Sequence, residues 1–253
     1  MQLVSALRSE VGPREDNQDA AISLPELGLF AVADGMGGYA GGGVASRLAL
    51  ETMAEFLRAN VRDSDITWPV AGDSSLEPPA RLLDAAIRLA HQRIRDARRG
   101  LWSKMGTTVA AVAQSPRGLI VGHVGDSRVY RWRQGTLARL TRDHTLVQDL
   151  IDAGVESEGL AKTPLGHVLS RALGASESVQ ADIQIDEPLG GDRYLLCTDG
   201  LTGVVTEARI AELLRTPDVS LAATMLVEEA LGRGTSDNVT VMVIGVEGER
   251  TAA

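Results

Sequence analysis

The sequence predicts an α+β fold in which two mainly antiparallel sheets are covered by helices. The prediction depends on the order of segments: strand-like runs come first, helical segments follow, and strands and helices are mixed afterwards. Strict alternation of strand and helix fits this order less well. The chain has 253 residues, of which 44% are hydrophobic and 3% aromatic, so it can bury a large core made of aliphatic side chains.

Nine segments show the alternating or continuous apolar pattern of β-strands. They lie at residues 3–7, 20–24, 27–33, 107–113, 118–124, 128–132, 179–185, 193–197 and 239–246. Gln134 and Gly135 are typical of a tight hairpin turn.

Five segments show the periodicity of amphipathic helices. They lie at residues 44–58, 82–99, 146–153, 207–215 and 221–231. Residues 60–80, approximately, are rich in Pro, Ser and Asp and are predicted to form a surface loop. The helices on both sides of this loop have the pattern of a packed pair. We therefore expect residues 1–253 to form one domain.

Composition restricts the classes of function. The net charge of −9 argues against a nucleic-acid partner, which needs Lys and Arg in excess on one face. The single cysteine, Cys197, allows no internal disulfide. No segment approaches the roughly 20 apolar residues of a membrane span, and the first residues lack a signal-peptide pattern. If this is a whole protein, we expect it to be cytoplasmic.

A glycine-rich segment after the third strand could bind a nucleotide. Residues 35–40, GMGGYA, match the dinucleotide-binding fingerprint between a strand and a helix. Two observations disfavour this hypothesis of a nucleotide-binding oxidoreductase. Asp34 would repel a pyrophosphate, and the next strand-like run begins only near Thr107 instead of within about 30 residues.

Aspartates recur at the ends of the predicted strands. Asp34, Asp126 and Asp199 each follow an apolar run, Asp237 precedes the last strand, and Asp19 stands at the entry to the second. Any one of them is typical of a turn. If the strand ends converge, however, the carboxylates repel one another unless cations neutralise them. The pattern therefore predicts a metal site.

The ligand type indicates which metal. Carboxylates, carbonyl oxygens and water suit Mg²⁺, Mn²⁺ or Ca²⁺. Zinc is disfavoured because the four histidines show no ligand spacing with one another or with Cys197. More than two aspartates in one place can hold two ions and a bridging water, which is suited to attack on phosphorus.

Seven motifs in order resemble the metal-dependent Ser/Thr protein phosphatases of type 2C, in their bacterial form. They are residues 14–19 (REDNQD), 32–38 (VADGMGG), 105–108 (MGTT), 124–128 (VGDSR), 141–144 (TRDH), 197–201 (CTDGL) and 236–240 (SDNVT). The ordered set spans residues 14–240, which is nearly the whole chain.

The resemblance implies a four-layer α-β-β-α sandwich with the metal site at one edge of the two sheets. It implies hydrolysis of phosphoserine and phosphothreonine monoesters in proteins by attack of a metal-bridging water. Carried over by position, Asp34, Asp199 and Asp237 would bind the first Mn²⁺ or Mg²⁺ ion. Asp34 and the carbonyl of Gly35 would bind the second.

The resemblance also assigns roles around these ligands. Asp126 would help hold a third, more weakly bound ion, and Asp19 would orient metal-bound waters. Arg14 would grip the substrate phosphate. Asn238 would contact the phosphate or the outer shell of the site. Residues 146–173, approximately, match the family's mobile flap, to which substrate choice is attributed. The catalytic residues are thus predicted to be Arg14, Asp34 and Asp199.

Two departures from the family concern the proton donor to the leaving alkoxide. Eukaryotic members of the family have histidine where this chain, like bacterial relatives, has Met36. Many bacterial relatives have histidine where this chain has Tyr39. A metal-bound water is the first candidate for the donor, and His144 is the second. In addition, Gln18 replaces a frequent glutamate.

The resemblance predicts phosphorylated proteins as partners, namely substrates of a Ser/Thr kinase, with the phosphatase acting as a monomer. The alternative is a non-catalytic member of the family that acts as a sensor or scaffold. The intact set of predicted ligands argues against this alternative.

Overall fold

The computed structural model describes residues 1–37, 41–60, 73–155, 159–160 and 163–248. Within these residues the chain forms eleven strands and six α-helices. The strands are β1 (Gln2–Glu10), β2 (Asp19–Leu24), β3 (Leu29–Met36), β4 (Gly106–Thr107), β5 (Val109–Ser115), β6 (Gly118–Val124), β7 (Arg128–Arg133), β8 (Thr136–Arg139), β9 (Asp182–Asp186), β10 (Arg193–Cys197) and β11 (Val239–Glu247). The helices are α1 (Gly41–Asn60), α2 (Pro78–Ala97), α3 (Leu146–Asp152), α4 (Asp199–Thr202), α5 (Glu207–Leu213) and α6 (Val219–Gly232).

The strands form two antiparallel sheets. The first has the order β1-β11-β10-β7-β8, and the second has the order β2-β3-β5-β6-β9 with β4 paired to β3. Neighbours pair antiparallel throughout both sheets. The predicted fold class, α+β with two mainly antiparallel sheets, is confirmed.

The side chains of β3 show how four layers arise. Leu29 and Ala31 pack with the apolar faces of α1 and α2, whereas Phe30 and Val32 lie between the two sheets with residues such as Tyr194. A third cluster joins the outer face of the first sheet to α5 and α6. Because a buried strand alternates its side chains between two faces, each sheet has a helical layer on one side and the other sheet on the opposite side. The chain is an α-β-β-α sandwich.

Several element bounds differ from the predictions. The strand predicted at 107–113 is divided at Thr108, because Thr107 pairs with Gly35 while Thr108 binds the backbone of Asp34. The strand predicted at 179–185 begins only at Asp182. By contrast, β6 and β10 have the predicted bounds.

Three helices, α1, α2 and α6, begin earlier than the periodicity predicted, whereas α3 and α5 begin at the predicted residues. α2 starts at Pro78 with prolines in its first turn, so residues 78–80 of the predicted surface loop are helical. Residues 61–72 of that loop lie outside the described residues, and residues 73–77 form turns and irregular structure. Of the predicted flap, the structure describes α3, a short 3₁₀-helix (Pro164–His167) and the residues that follow, but not 156–158 or 161–162.

Two further expectations concern membrane-spanning helices and the nucleotide-binding hypothesis. In the described part of the chain, no helix combines the length and the apolar character that crossing a membrane requires. The dinucleotide-binding hypothesis is wrong, because such a site needs a parallel βαβ unit. Here β3 pairs antiparallel with β2 and β5, and α1 leads to another helix.

Candidate metal centre

The predicted site residues meet in one cleft at the edge of the sandwich. The cleft has a volume of about 1280 Å³ and lies where several strands end. The predicted residues that line it are Arg14, Asp34, Gly35, Asp126, Asp199, Asp237 and Asn238. Asp19 is not among its lining residues and lies buried beside them. The structure thus brings together residues such as Arg14 and Asp237, which are 223 positions apart in sequence.

Two threonines hold the backbone of Asp34. The hydroxyl of Thr108 accepts a hydrogen bond from the Asp34 amide at 2.9 Å, and the Thr108 amide donates to the Asp34 carbonyl at 2.9 Å. The hydroxyl of Thr107 donates to the same carbonyl at 2.8 Å. The MGTT motif was identified without a role. Its contacts show that it fixes the strand end from which the Asp34 carboxylate enters the cleft.

Gly35 follows Asp34 at a point of close backbone approach. A Cβ atom at this position would overlap the carbonyl group of Gly42 at the start of α1, and would lie 2.6 Å from the carbonyl oxygen of Gln18. Only glycine therefore fits between β3, α1 and the loop before β2. Gly35 also lines the cleft, so its backbone forms part of the cleft wall.

The carboxylates of the cleft strongly perturb one another. Burial raises the pKa of Asp34 well above its ordinary value, and the neighbouring charges of Asp19, Asp199 and Asp126 raise it further. Burial also raises the pKa of Asp126 to about 7, with Asp199 contributing. Such shifts show carboxylates that are held close together without sufficient positive charge.

Asp199 and Asp237 lie on the other sheet. Asp199 is the first residue of α4, directly after β10, and burial together with the charge of Asp237 raises its pKa. Its Oδ1 atom is buried and receives no hydrogen bond from any described residue. Asp237 precedes β11 and forms an ion pair with Arg14, with 2.7 Å between its Oδ2 and Nη2.

Asp19 lies beneath the cleft. It is directly opposite Asp34 in the β2–β3 pair, and its Oδ2 accepts a hydrogen bond from the hydroxyl of Thr198 at 2.9 Å. Burial raises the pKa of Asp19 to about 7, although hydrogen bonds from Thr240 and Thr198 oppose the increase. This position is consistent with the predicted role behind the metal ligands.

Arg14 and Asn238 define the side of the cleft formed by the β1–β2 loop. Arg14 is half exposed, and its Nε donates to the carbonyl of Ser236 at 2.9 Å. The Asn238 amide nitrogen donates to the carbonyls of Val11 and Asp16, at 2.8 and 3.0 Å. Its Oδ1 accepts a hydrogen bond from the Gln18 amide at 2.9 Å. The Asn238 side chain therefore holds the loop that carries Arg14.

The histidines have different surroundings. His167 lines the cleft from the 3₁₀-helix of the flap, and its Nδ1 lies 3.6 Å from Oδ2 of Asp199. Sequence reasoning missed this residue, because only the tertiary path of the flap brings it to the site. His144, the second candidate for the proton donor, is buried and is not among the residues that line the cleft. Met36 lines it, and Tyr39 lies outside the described residues.

The cleft fits hard divalent cations. It presents clustered carboxylates whose burial and mutual repulsion raise their pKa, together with the buried Oδ1 atom of Asp199, which has no partner among the described residues. Carboxylate oxygens with accessible backbone carbonyls are the donor set that Mg²⁺ and Mn²⁺ prefer. Binding of such ions would neutralise the repulsion and occupy the unpartnered oxygen.

Comparison with known families agrees with this geometry. A sequence model of the family described as protein phosphatase 2C matches residues 8–231. This chain belongs to that family. The family and the fold are those of metal-dependent Ser/Thr protein phosphatases, and the resemblance noted from the motifs is confirmed.

Two curated relatives show the range of similarity. The serine/threonine protein phosphatase PstP of Mycobacterium tuberculosis is 38% identical over 249 residues, which cover 95% of this chain but only 44% of the relative. The chain therefore spans less than half the length of PstP. The serine/threonine phosphatase Stp of Listeria innocua is 30% identical over 236 residues, which cover 91% of this chain and 89% of the relative.

A solved structure supplies the comparison for metal binding. The crystal structure of the catalytic domain of PstP in complex with two manganese ions has a TM-score of 0.80 to this chain, at 37% sequence identity. The similarity covers 97% of this chain and 99% of that one. The sandwich fold of this chain is therefore shared with a catalytic domain that binds two Mn²⁺ ions.

Proposed function

We propose that this chain hydrolyses phosphoserine and phosphothreonine monoesters in proteins with the help of two Mn²⁺ or Mg²⁺ ions and a third, weaker one. The convergence of buried carboxylates at the strand ends is the observation that carries the proposal. Asp34, Asp199 and Asp237 would hold the ions, with the Gly35 carbonyl and Asp126 as further donors. Membership in the protein phosphatase 2C family supports the reaction type.

The ions, when bound, supply an activated water molecule and neutralise the charge of the phosphate. The chain's own residues orient the substrate. Arg14 projects from the β1–β2 loop and can exchange its ion pair with Asp237 for the phosphate oxygens, which suit a guanidinium donor. Asn238 fixes the loop that carries it. Asp19, opposite Asp34, maintains the negative field behind the ligands.

The reaction adds water to phosphorus and breaks the bond to the ester oxygen, which then takes up a proton. Met36 stands where eukaryotic members of the family have histidine, and its thioether has no proton to donate. Water in the cleft is therefore the predicted proton donor to the leaving ester oxygen. The substrates that we propose are proteins phosphorylated by a Ser/Thr kinase, and we propose that the chain acts as a monomer in the cytoplasm.

A phosphothreonine peptide assay tests the proposal. We expect release of phosphate that requires added Mn²⁺ and stops with EDTA, and no release by the Asp34→Ala variant under the same conditions. The Asp96→Asn variant, in which the changed carboxylate is exposed on α2, is the control and should retain activity. Absence of turnover by the metal-loaded wild type, together with tight binding of the peptide, would instead favour the non-catalytic alternative.

A further inference from the structure

Gly125, the residue before Asp126, has a backbone conformation that must be held in place. Its φ of +104° lies in the region that L side chains rarely adopt, and a Cβ atom there would lie 2.6 Å from the side chain of Thr108. The turn that aims Asp126 into the cleft is therefore built on a conformation that other residues must stabilise.

His144 binds both polar groups of Gly125. The Gly125 amide donates to Nδ1 of His144 at 3.1 Å, and the His144 amide donates to the Gly125 carbonyl at 3.0 Å. On the other side of Asp126, the hydroxyl of Ser127 hydrogen-bonds the hydroxyl of Thr108 at 2.7 Å. The two neighbours of Asp126 are thus anchored separately.

The surroundings of His144 fix which ring nitrogen carries the proton. Burial lowers the pKa of His144 to about 4, so the ring is neutral at neutral pH. Nδ1 accepts the Gly125 hydrogen bond, hence the proton is on Nε2, which lies 3.2 Å from Oδ2 of Asp182. Asp182 also pairs with Arg171 at 2.8 Å, and the ring stacks on His123. His144 therefore has one orientation.

The group formed by His123, His144 and Asp182 also has the composition of a metal site, with ligand atoms within 4.8 Å of one another. Its existing contacts disfavour that interpretation. Nδ1 of His144 accepts the hydrogen bond of the Gly125 amide, so Nε2 of that ring carries the proton and has no lone pair for a cation. Arg171 is paired with Asp182, and its positive charge would repel a cation bound there.

His144 also closes the base of the flap. Its carbonyl accepts a hydrogen bond from the amide of Ser170 at 2.9 Å. The next residue, Thr145, pairs with Leu169 and caps α3. His144 therefore contacts the turn before Asp126 and Ser170 near the end of the flap, and it lies two residues before the start of the flap.

We infer that His144 is a positioning residue, which holds the Gly125 turn so that Asp126 can bind its ion, and that it couples this ligand to the base of the flap. The inference rests on the proposed function for the identity of the ion. It explains how the predicted ligand Asp126 is oriented towards the cleft. Loss of the Nδ1 acceptor should therefore lower the affinity for the ion that Asp126 holds. The affinity for the ions held by Asp34 and Asp199 should not change.

Titration with Mn²⁺, followed by the electron paramagnetic resonance signal of the free ion, tests the inference. We expect His144→Leu to raise the Kd of the weakest site about 10- to 100-fold, the usual effect of removing an outer partner of a metal ligand. His144→Asn, whose Oδ1 can take the place of Nδ1, should restore most of the affinity. Asp126→Asn identifies the weakest site by abolishing it.

His91→Leu is the matched control. His91 is also buried, and its Nδ1 accepts the amide of another glycine, Gly174, at 3.0 Å. We expect this variant to lose thermal stability as His144→Leu does, but to bind Mn²⁺ as the wild type does. Equal Mn²⁺ affinities in His144→Leu and His91→Leu would overturn the inference.

Hydrogen exchange in the metal-free wild type adds a measurement without substitution. The amide of Gly125 should be protected, and fast exchange there would contradict the inference even if His144→Leu does not fold. Zn²⁺ binding that survives in Asp34→Asn but is lost in His144→Leu would also overturn it, by showing that the histidines are ligands. A wild type that binds Mn²⁺ but hydrolyses no phosphopeptide overturns the proposed function alone, whereas no binding of Mn²⁺ overturns both.

Discussion

Asp19 and Asp34 face each other across the β2–β3 pair, so two acidic side chains occupy directly opposed positions in one sheet. Like charges in such positions destabilise a sheet. Burial, together with neighbouring carboxylates, raises the pKa of Asp19 to about 7 and the pKa of Asp34 well above its ordinary value. The metal-free fold therefore carries an electrostatic cost that cations can remove.

The first prediction is that the metal-free protein loses stability as the pH rises from about 5 to about 8. Between pH 3.8 and about 7, Asp19 and Asp126 bind more protons in the folded than in the unfolded state. The free energy of unfolding therefore decreases with pH, by up to about 1.4 kcal/mol per pH unit for each group. Urea unfolding in EDTA at several pH values measures the slope.

The Asp19→Asn variant is the control for this slope. It removes one titrating group and keeps an oxygen that can accept the Thr198 hydrogen bond, so the slope should become smaller. Addition of Mn²⁺ at pH 8 should stabilise the wild type. A stability that increases between pH 5 and pH 8 in EDTA would contradict the electrostatic description.

The second prediction is that Asp34→Asn and Asp199→Asn increase the stability of the metal-free protein but decrease its activity. Each change removes a buried charge, so the metal-free protein should become more stable. Each also removes a predicted metal ligand, so kcat/KM at saturating Mn²⁺ should fall. The decrease should exceed the about 10- to 100-fold loss that is usual when a residue hydrogen-bonded to a metal ligand is removed. Phosphopeptide kinetics and urea unfolding measure the two effects, and activity within a few-fold of wild type would exclude these carboxylates as ligands.

The third prediction concerns the close approach at Gly35. Gly35→Ala places a methyl group against the carbonyls of Gly42 and Gln18, so we expect a loss of about 3 kcal/mol in the free energy of unfolding. Gly232→Ala is the matched control, because no described atom lies within 4 Å of the added Cβ at that helical position. It should be neutral or stabilising by up to about 1 kcal/mol.

Equal stability of the two alanine variants in thermal and chemical unfolding would show that the backbone can move apart at Gly35. In that case the contact between β3 and α1 would not define the cleft wall.

The fourth prediction is that Arg14→Ala raises KM for a phosphopeptide about 10- to 100-fold, with a smaller change in kcat. This corresponds to the loss of about 1.5–3 kcal/mol from hydrogen bonds to a charged group. The Mn²⁺ affinity should not decrease, because Arg14 pairs with Asp237 and competes with a cation for it. Steady-state kinetics at saturating Mn²⁺ and a direct Mn²⁺ titration measure the two quantities.

Arg14→Lys keeps the positive charge but not the two-pronged donor, so its KM should lie between those of the wild type and Arg14→Ala. A large decrease in Mn²⁺ affinity in either variant would indicate that Arg14 supports the ligands instead of the substrate.

Local sequence patterns predicted the fold well where one face of an element is apolar. β6 and β10 have their predicted bounds, since continuous apolar runs end at turn residues. The start of α1 could not be predicted in this way. Its first three residues are Gly41, Gly42 and Gly43, which disfavour a helix. Gly42 is required because a side chain there would overlap Gly35 and the side chain of Gln18, a contact between distant segments.

The candidate site could likewise be predicted only in part from the sequence. The carboxylates were predicted because their types and strand-end positions are visible in the sequence. The partners that orient them were not: Thr108 binds the backbone of Asp34 across 74 positions, and His167 reaches Asp199 from the flap. Neither contact has a local signal, because each depends on the packing of segments that are far apart along the chain.

The pairing of β1 with β11, from Gln2 opposite Glu247 to Glu10 opposite Val239, has a consequence for synthesis on the ribosome. Arg14 follows the first of these strands and Asp237 precedes the second, so the cleft joins the earliest and latest parts of the domain to emerge. A nascent chain that stops short of β11 lacks this pairing and cannot complete the cleft. An unfinished polypeptide that lacks β11 is therefore expected to lack the proposed phosphatase activity.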